Sequence, residues 1–262
     1  MLELYHAHRS TCSQKVRICL AELGLEFRSR PINLIAGEQL TPAYLAVNPN
    51  GVVPALMHDG AVILESSVIC EYLCEVFPGG ERLLGQSAVE RARIRAWLHF
   101  IDEVPSMAVR VPSFQSALLP FFQRMAPEDF ERFIEAMPVR KYFYRRMGQT
   151  GFSREEHAAA VEQLERSFAR IDRALAQQDW LAGPRYSIAD ICVAPVLQRL
   201  EDLELGELWS KYRKVARWFE LIRGRPAFLR AFYPGSGFKL ADIRALIEGA
   251  PELNTGWSSS RR

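Results

Sequence analysis

The chain has 262 residues, 48% of them hydrophobic and 24% charged, with a formal net charge of +2. That length allows two ordinary domains, and the balance is globular, which excludes a disordered tail protein. So small a charge predicts neither a nucleic-acid binder nor a membrane-surface protein, and no apolar run approaches the roughly 18–20 residues that cross a bilayer.

Leu2 to Tyr5 alternates like a short strand. A polar loop follows and ends at Cys12-Ser13. Gln14 to Leu23 then carries Val16, Cys19, Leu20 and Leu23 at helical spacing, with Gly24 where a helix-terminating glycine belongs. Phe27 to Leu34 reads as a second strand, and Pro31 predicts that it lies at an edge. After a loop through Asn48-Pro49-Asn50-Gly51, the stretches from Val53 to His58 and from Ala61 to Leu64 flank Asp59-Gly60. That is a hairpin signal of the two-residue kind. Glu65-Ser66-Ser67 opens a helix, with Val68, Ile69, Tyr72, Leu73 and Val76 expected on its apolar face and Pro78-Gly79-Gly80 as its stop. The predicted order is β-α-β, loop, β-β-α.

From Ser87 onward the patterns are helical. Val89 to Val104 and His157 to Leu175 are amphipathic, residues 187–205 are apolar enough for a central buried helix, and residues 208–223 form another. Ser187-Ile188-Ala189-Asp190 reads as a capping box. The domains expected are an α/β unit at 1–81 and an all-α unit at 88–262, with an enlarged aromatic-rich segment at about 107–150. The tail from Asn254 to Arg262 is small, polar and basic and is expected to fray.

The five cysteines, at 12, 19, 70, 74 and 192, are scattered. They suit a reducing cytoplasm better than a disulfide frame, and the N-terminus carries no basic or apolar leader. Cys70 and Cys74 share a helix face and read as core. No metal-ligand spacing, glycine-rich dinucleotide fingerprint or P-loop occurs, so neither a metal nor a nucleotide is expected.

Four stretches in order resemble the cytosolic glutathione transferases. They are Ser10-Thr11-Cys12-Ser13-Gln14-Lys15-Val16-Arg17, Asn48-Pro49-Asn50-Gly51-Val52-Val53-Pro54-Ala55-Leu56, Leu64-Glu65-Ser66-Ser67-Val68-Ile69 and Tyr186-Ser187-Ile188-Ala189-Asp190. The resemblance implies a thioredoxin-like N-terminal domain, an all-α C-terminal domain, glutathione as co-substrate and a homodimer. Within the family, the region from Pro54 to Pro78 and Gln178-Asp179-Trp180-Leu181 look like the bacterial β-aryl-ether-cleaving transferases. Ser10-Thr11-Cys12-Ser13 is closer to zeta-class isomerases and reductive dehalogenases.

The thiol of glutathione is mostly protonated at neutral pH, so such an enzyme must favour the thiolate. A helix N-terminus offers unpaired N–H groups and the positive end of a dipole, and a serine hydroxyl can donate to the sulfur. Ser13 is the first choice, by its place just before the predicted helix, against Ser10. Cys12 would change the chemistry, since a low-pKa thiol there could form a mixed disulfide with glutathione. As plain structure, Ser10 and Ser13 are loop and cap residues.

By the resemblance, the bond before Pro54 is cis and the Val53 backbone pairs with the cysteinyl part of glutathione. Ser66, at a helix start, would hold the γ-glutamyl carboxylate and Glu65 its ammonium. Gln39 and Asn50 are weaker contacts, and Lys15 and Arg17 are either charge partners or helix surface. A small aromatic electrophile would sit between the domains, walled by the aromatic segment and covered by Trp257 and the tail. Arg140, Lys141, Arg145 and Arg146 read as a solvated face. The reading that follows is β-aryl ether cleavage. The alternatives are reductive dehalogenation or zeta-like isomerisation through Cys12, and a non-catalytic binding protein.

Overall fold

The computed structural model describes residues 1–248; Trp257 and the tail from Asn254 lie outside the described residues. Strand β1 (Leu2–His6) runs through the middle of a four-stranded sheet, and its alternation turns Leu2, Leu4 and His6 inward. Helix α1 (Thr11–Glu22) crosses over to β2 (Arg28–Pro31), which pairs parallel to β1 at the sheet edge, with Pro31 exposed. The Gly24 C′ position holds: its φ is +65°, and the Leu25 N–H reaches the Leu20 carbonyl at 2.9 Å. After α2 (Pro42–Leu45), strands β3 (Ala55–His58) and β4 (Ala61–Leu64) form the expected hairpin. Asp59 and Gly60 both take positive φ, as a tight hairpin turn demands. The strand order is β2-β1-β3-β4, with Leu4 opposite Leu56.

Helix α3 (Ser66–Val76) corrects one expectation. Its inward residues are Ser67, Ile69, Cys70, Leu73 and Cys74, whereas Val68 and Val76 are 53% and 46% exposed. The stripe is set by close packing on α1 and on the helical half. Cys74 Sγ lies 3.9 Å from Cys19 Sγ, and Ser67 Oγ lies 3.8 Å from Cys192 Sγ. Small side chains permit that approach, so size overrode hydrophobicity. Cys70 and Cys74 are core residues, as expected.

The helical half begins with α4 (Glu81–Leu84) and α5 (Ala88–Glu103), the latter opened by a Ser87–Glu90 capping box. Short helices α6 (Pro105–Ala108) and α7 (Arg110–Ser113) lead through one π-helical turn (Phe114–Leu118) into α8 (Leu119–Gln123), α9 (Pro127–Glu135) and α10 (Lys141–Met147). The long α11 (Arg154–Ala174) and the buried α12 (Ile188–Asp202) form its spine. The helix expected at 208–223 is two pieces, α13 (Glu207–Ser210) and α14 (Arg213–Arg223), followed by α15 (Pro226–Ala231) and α16 (Leu240–Glu248). Among the described residues no helix is long and apolar enough to cross a membrane.

One core joins both halves: Leu4, Ile18, Leu56 and Leu73 pack into the same cluster as Ile101, Phe168, Val193 and Leu197. A second core is built from the aromatic segment, around Phe122, Phe133, Tyr144 and Met147.

Asp190, fully buried at the start of α12, organises this region. One carboxylate oxygen accepts from the Ser187 N–H (2.9 Å) and hydroxyl (3.0 Å), the other from the Leu181 N–H (3.0 Å) and the Trp218 indole N–H (2.9 Å). Burial pushes its pKa up to about 6 while these donors pull it down, so at neutral pH it accepts all four bonds as a carboxylate. Asp190→Ala strands two backbone N–H groups and an indole N–H in the core. A loss of about 3–5 kcal/mol is expected in urea unfolding, and a loss below about 1 kcal/mol would refute the assignment.

Candidate functional site

The loop Ala7–Ser10, between β1 and α1, is held by its carbonyls. Arg17, buried on α1, donates to the carbonyls of Ala7 (3.4 Å) and His8 (2.8 Å) and also to Ala231 on α15 (3.1 Å). Arg199 of α12 donates to the Arg9 carbonyl and to Ser113 Oγ (3.3 Å). Two interior guanidiniums therefore fix the loop from both halves. Lys15 and Arg17, which the sequence left as charge partners or helix surface, are both interior.

Helix α1 starts three residues earlier than expected. Ser10 is the N-cap, its Oγ accepting from the Ser13 N–H at 3.3 Å, so the polar run read as loop is the first turn itself. Ser13 then falls inside the helix. It is fully buried, its Oγ accepts from the Ala7 N–H at 3.3 Å, and it is not part of the cavity wall. Ser10 and Cys12 do line that cavity.

Cys12 is half-buried, and burial pushes its thiol pKa up. Lys15, Arg110 and Arg140 together pull harder, and the thiol ends below its ordinary range. Lys15 is fully buried, with its Nζ 2.5 Å from Asp102 Oδ1 of α5. Burial alone would neutralise it, yet Cys12 and Asp102 keep it protonated.

The opposite wall comes from the sheet half. Val53 precedes the cis Val53–Pro54 bond, and its backbone N–H and C=O have no partner among the described residues. Gln39 is buried and lines the same cavity, with its Oε1 unpartnered. Asn50 does not line it; its N–H is bonded to Asn48 Oδ1 at 3.0 Å. Glu65 and Ser66 sit at the start of α3, outside the cavity lining. Glu65 takes φ +65°, a sparsely populated conformation for a residue with a side chain. It is exposed and leaves the first-turn N–H groups of α3 clear of any side-chain cap.

The cavity holds about 560 Å³. Phe114, Phe121, Phe122, Phe133 and Tyr144 form its far wall, while Phe130 and Phe143 pack outside the lining and Tyr142 is 80% exposed. Ile243 and Leu246 of α16 and Phe238 complete it, positions that carry no functional signal in the sequence. The four basic residues expected on a solvated face divide. Lys141 and Arg145 pair with Glu135 and Arg146 with Glu156, but Arg140 lines the cavity, as do Arg9, Arg110 and Arg199.

Family models described as glutathione S-transferase, N-terminal domain and C-terminal domain match residues 4–81 and 130–226. The chain belongs to the glutathione S-transferase family; it is an enzyme, and glutathione is its co-substrate. Protein LigF of Sphingobium sp. strain NBRC 103272 / SYK-6 is 33% identical over 240 residues, 88% of this chain and 93% of that protein. The crystal structure of beta-etherase LigF from Sphingobium sp. strain SYK-6 matches with a TM-score of 0.80 at 33% identity, covering 88% of this chain and 98% of that one. Maleylacetoacetate isomerase of Pseudomonas aeruginosa is 34% identical over 234 residues, 88% of this chain and 95% of that protein.

Lys15 is the charge that lowers the Cys12 pKa most, and Lys15→Met keeps its volume while removing that charge. The alkylation of Cys12 by iodoacetamide, followed against pH, is expected to shift upward by about one pH unit. The other four cysteines are buried and serve as unreactive controls. An unchanged profile would remove Lys15 from the site.

Proposed function

We propose that this transferase cleaves β-aryl ethers with glutathione. The observation that carries the reading is the aromatic-walled cavity beside Ser10 and Cys12, in a chain similar over most of its length to a beta-etherase. In this reading residues 1–81 hold glutathione, residues 88–262 hold the acceptor, and the segment at about 107–150 is the acceptor wall.

The residues fit the tripeptide. The free backbone groups of Val53 pair with its cysteinyl unit, and Gln39 Oε1 accepts from one of its N–H groups. The open first turn of α3 receives the γ-glutamyl carboxylate at Ser66, with Glu65 against the ammonium. Asn50 braces the turn before Val53, through its neighbour Asn48, which donates to the Val52 carbonyl at 2.7 Å. At the other end, the Ser10 hydroxyl and the first-turn N–H groups of Thr11 and Cys12 face the sulfur and favour its ionised form. Ser13 supports this turn from behind through its bond to the Ala7 N–H. The sulfur's electron pair forms a bond to the ether-bearing carbon, and the carbon–oxygen pair leaves with the aryloxide. Positioning and water exclusion supply most of the acceleration. A homodimer in the cytoplasm completes the proposal; Val62 and Val68 are exposed apolar residues on β4 and α3 that a second copy could cover.

A second reading has its own observation. Cys12 lines the cavity with a lowered pKa, which suits zeta-like isomerisation or a dehalogenase-type mixed disulfide.

Incubating the protein with glutathione and an α-keto β-aryl ether is expected to release the phenol and leave a glutathione thioether. Ser10→Ala is expected to lower kcat by about 10–100-fold, and Cys12→Ser to leave ether cleavage within about threefold. No phenol from several such ketones, together with Cys12-dependent turnover of a halogenated quinol or a cis-enedioate, would replace the first reading with the second.

A further inference from the structure

Arg110 and Arg140 are the charges the proposed chemistry leaves unexplained. Both line the cavity with Cys12, and neither has a hydrogen-bond or ion-pair partner among the described carboxylates. Arg110's pKa is depressed first by burial and next by the charge of Arg140. Arg9 adds a third guanidinium to the wall, with its Nε buried and unpartnered. Arg199 is different, because it is satisfied by the Arg9 carbonyl, Ser113 and the Phe238 ring 3.7 Å away. Among the described residues the single carboxylate on the wall, Glu38, accepts from the Asn33 N–H at 2.7 Å.

Arg9, Arg110 and Arg140 are each partly buried, and like charges gathered on one partly desolvated wall are costly unless an anion meets them. The Cys12 thiolate can answer one guanidinium, not three. The proposed seat of the γ-glutamyl carboxylate, the start of α3, lies outside this wall. Arg110 and Arg140 stand on the helical wall among Phe114, Phe122, Phe133 and Tyr144, whereas the groups that suit glutathione stand on the sheet side and at α3. Planar guanidinium forks match a carboxylate in two-point contact, and the surrounding rings match an arene.

We infer that the acceptor is an aromatic carboxylate, its ring against the Phe114–Tyr144 wall and its carboxylate gripped by Arg110 and Arg140 beside Cys12. This deepens the proposed function and rests on the cavity being the acceptor site; it does not depend on which bond is cleaved. The carboxylate orients the arene with its reactive carbon toward the Ser10 turn. A neutral aryl ether of the same shape would cover the two arginines without pairing them, so discrimination follows from the missing partner.

The test uses 4-phenoxybenzoate and its methyl ester as probes on the glutathione-loaded full chain, by calorimetry. The acid is expected to bind at least about tenfold more tightly than the ester. Arg110→Lys and Arg140→Gln are each expected to reduce that preference by about tenfold, with glutathione affinity unchanged and the helical circular dichroism retained. Arg145→Ala, an exposed residue paired with Glu135, should leave both affinities as they are. Equal binding of acid and ester overturns the inference, and so does a loss of glutathione affinity in the two variants, which would assign the arginines to the tripeptide. The binding comparison needs no turnover. If the acid binds selectively while no β-aryl ether is cleaved, the ether reading falls and this inference stands. In the opposite case, brisk cleavage of a neutral ketone with no preference for an acid analogue, the inference falls alone.

Discussion

A buried ammonium links the two halves of this molecule across their shared apolar core. Lys15 is fully enclosed at the first turns of α1, and its carboxylate partner, Asp102, belongs to α5 in the other half of the chain. An interior charge is costly without a counter-charge, so this pair favours the docked arrangement in which Asp102 reaches Lys15. The same ammonium stands next to Cys12 and lowers its pKa. The constraint that aligns the halves thus also sets the electrostatics at the cavity.

Around that pair the loop ahead of α1 is fixed by donors rather than by packing. Arg17 and Arg199 grip the carbonyls of Ala7, His8 and Arg9, one from α1 and one from α12. Thr11 and Cys12 of the first turn of α1, whose backbone N–H groups have no partner among the described residues, line the cavity. Preorganised dipoles of this kind favour a thiolate because they need no rearrangement when charge develops. Ser13 belongs to this bracing and Ser10 to the exposed turn, a division set by where the helix begins.

The cavity has two chemically distinct sides. The sheet side presents backbone groups and amides at Val53 and Gln39, suited to a peptide. The helical side presents rings and guanidiniums, from a segment with its own aromatic core. A scaffold of this sort can keep the first side constant while the second varies, since the rings of the second side belong to a separate core cluster, which Leu40 of the sheet half also joins. The likeness to both a beta-etherase and an isomerase is consistent with that separation.

Much of this was written in local sequence. Gly24 marks the end of α1 because only a left-handed residue fits there, and Asp59-Gly60 marks the hairpin for the same reason. The order of strands and helices follows from apolar periodicity, and the candidate residues Ser10, Cys12, Gln39 and Val53 do meet on one cavity. What the pattern could not carry was anything decided by a distant neighbour. The N-cap moved from Ser13 to Ser10 because capping depends on hydroxyl geometry, not composition. Val68 and Val76 faced outward because Cys74 and Ser67 let helices approach. Arg140 looked like its neighbours Lys141 and Arg145 in sequence, yet it alone of the three lines the cavity. The local signals of turn, cap and period therefore determined the elements and their order. Only tertiary packing decided which charges were buried and what faced them, because the cost of burying a charge depends on groups brought together from far apart in the chain.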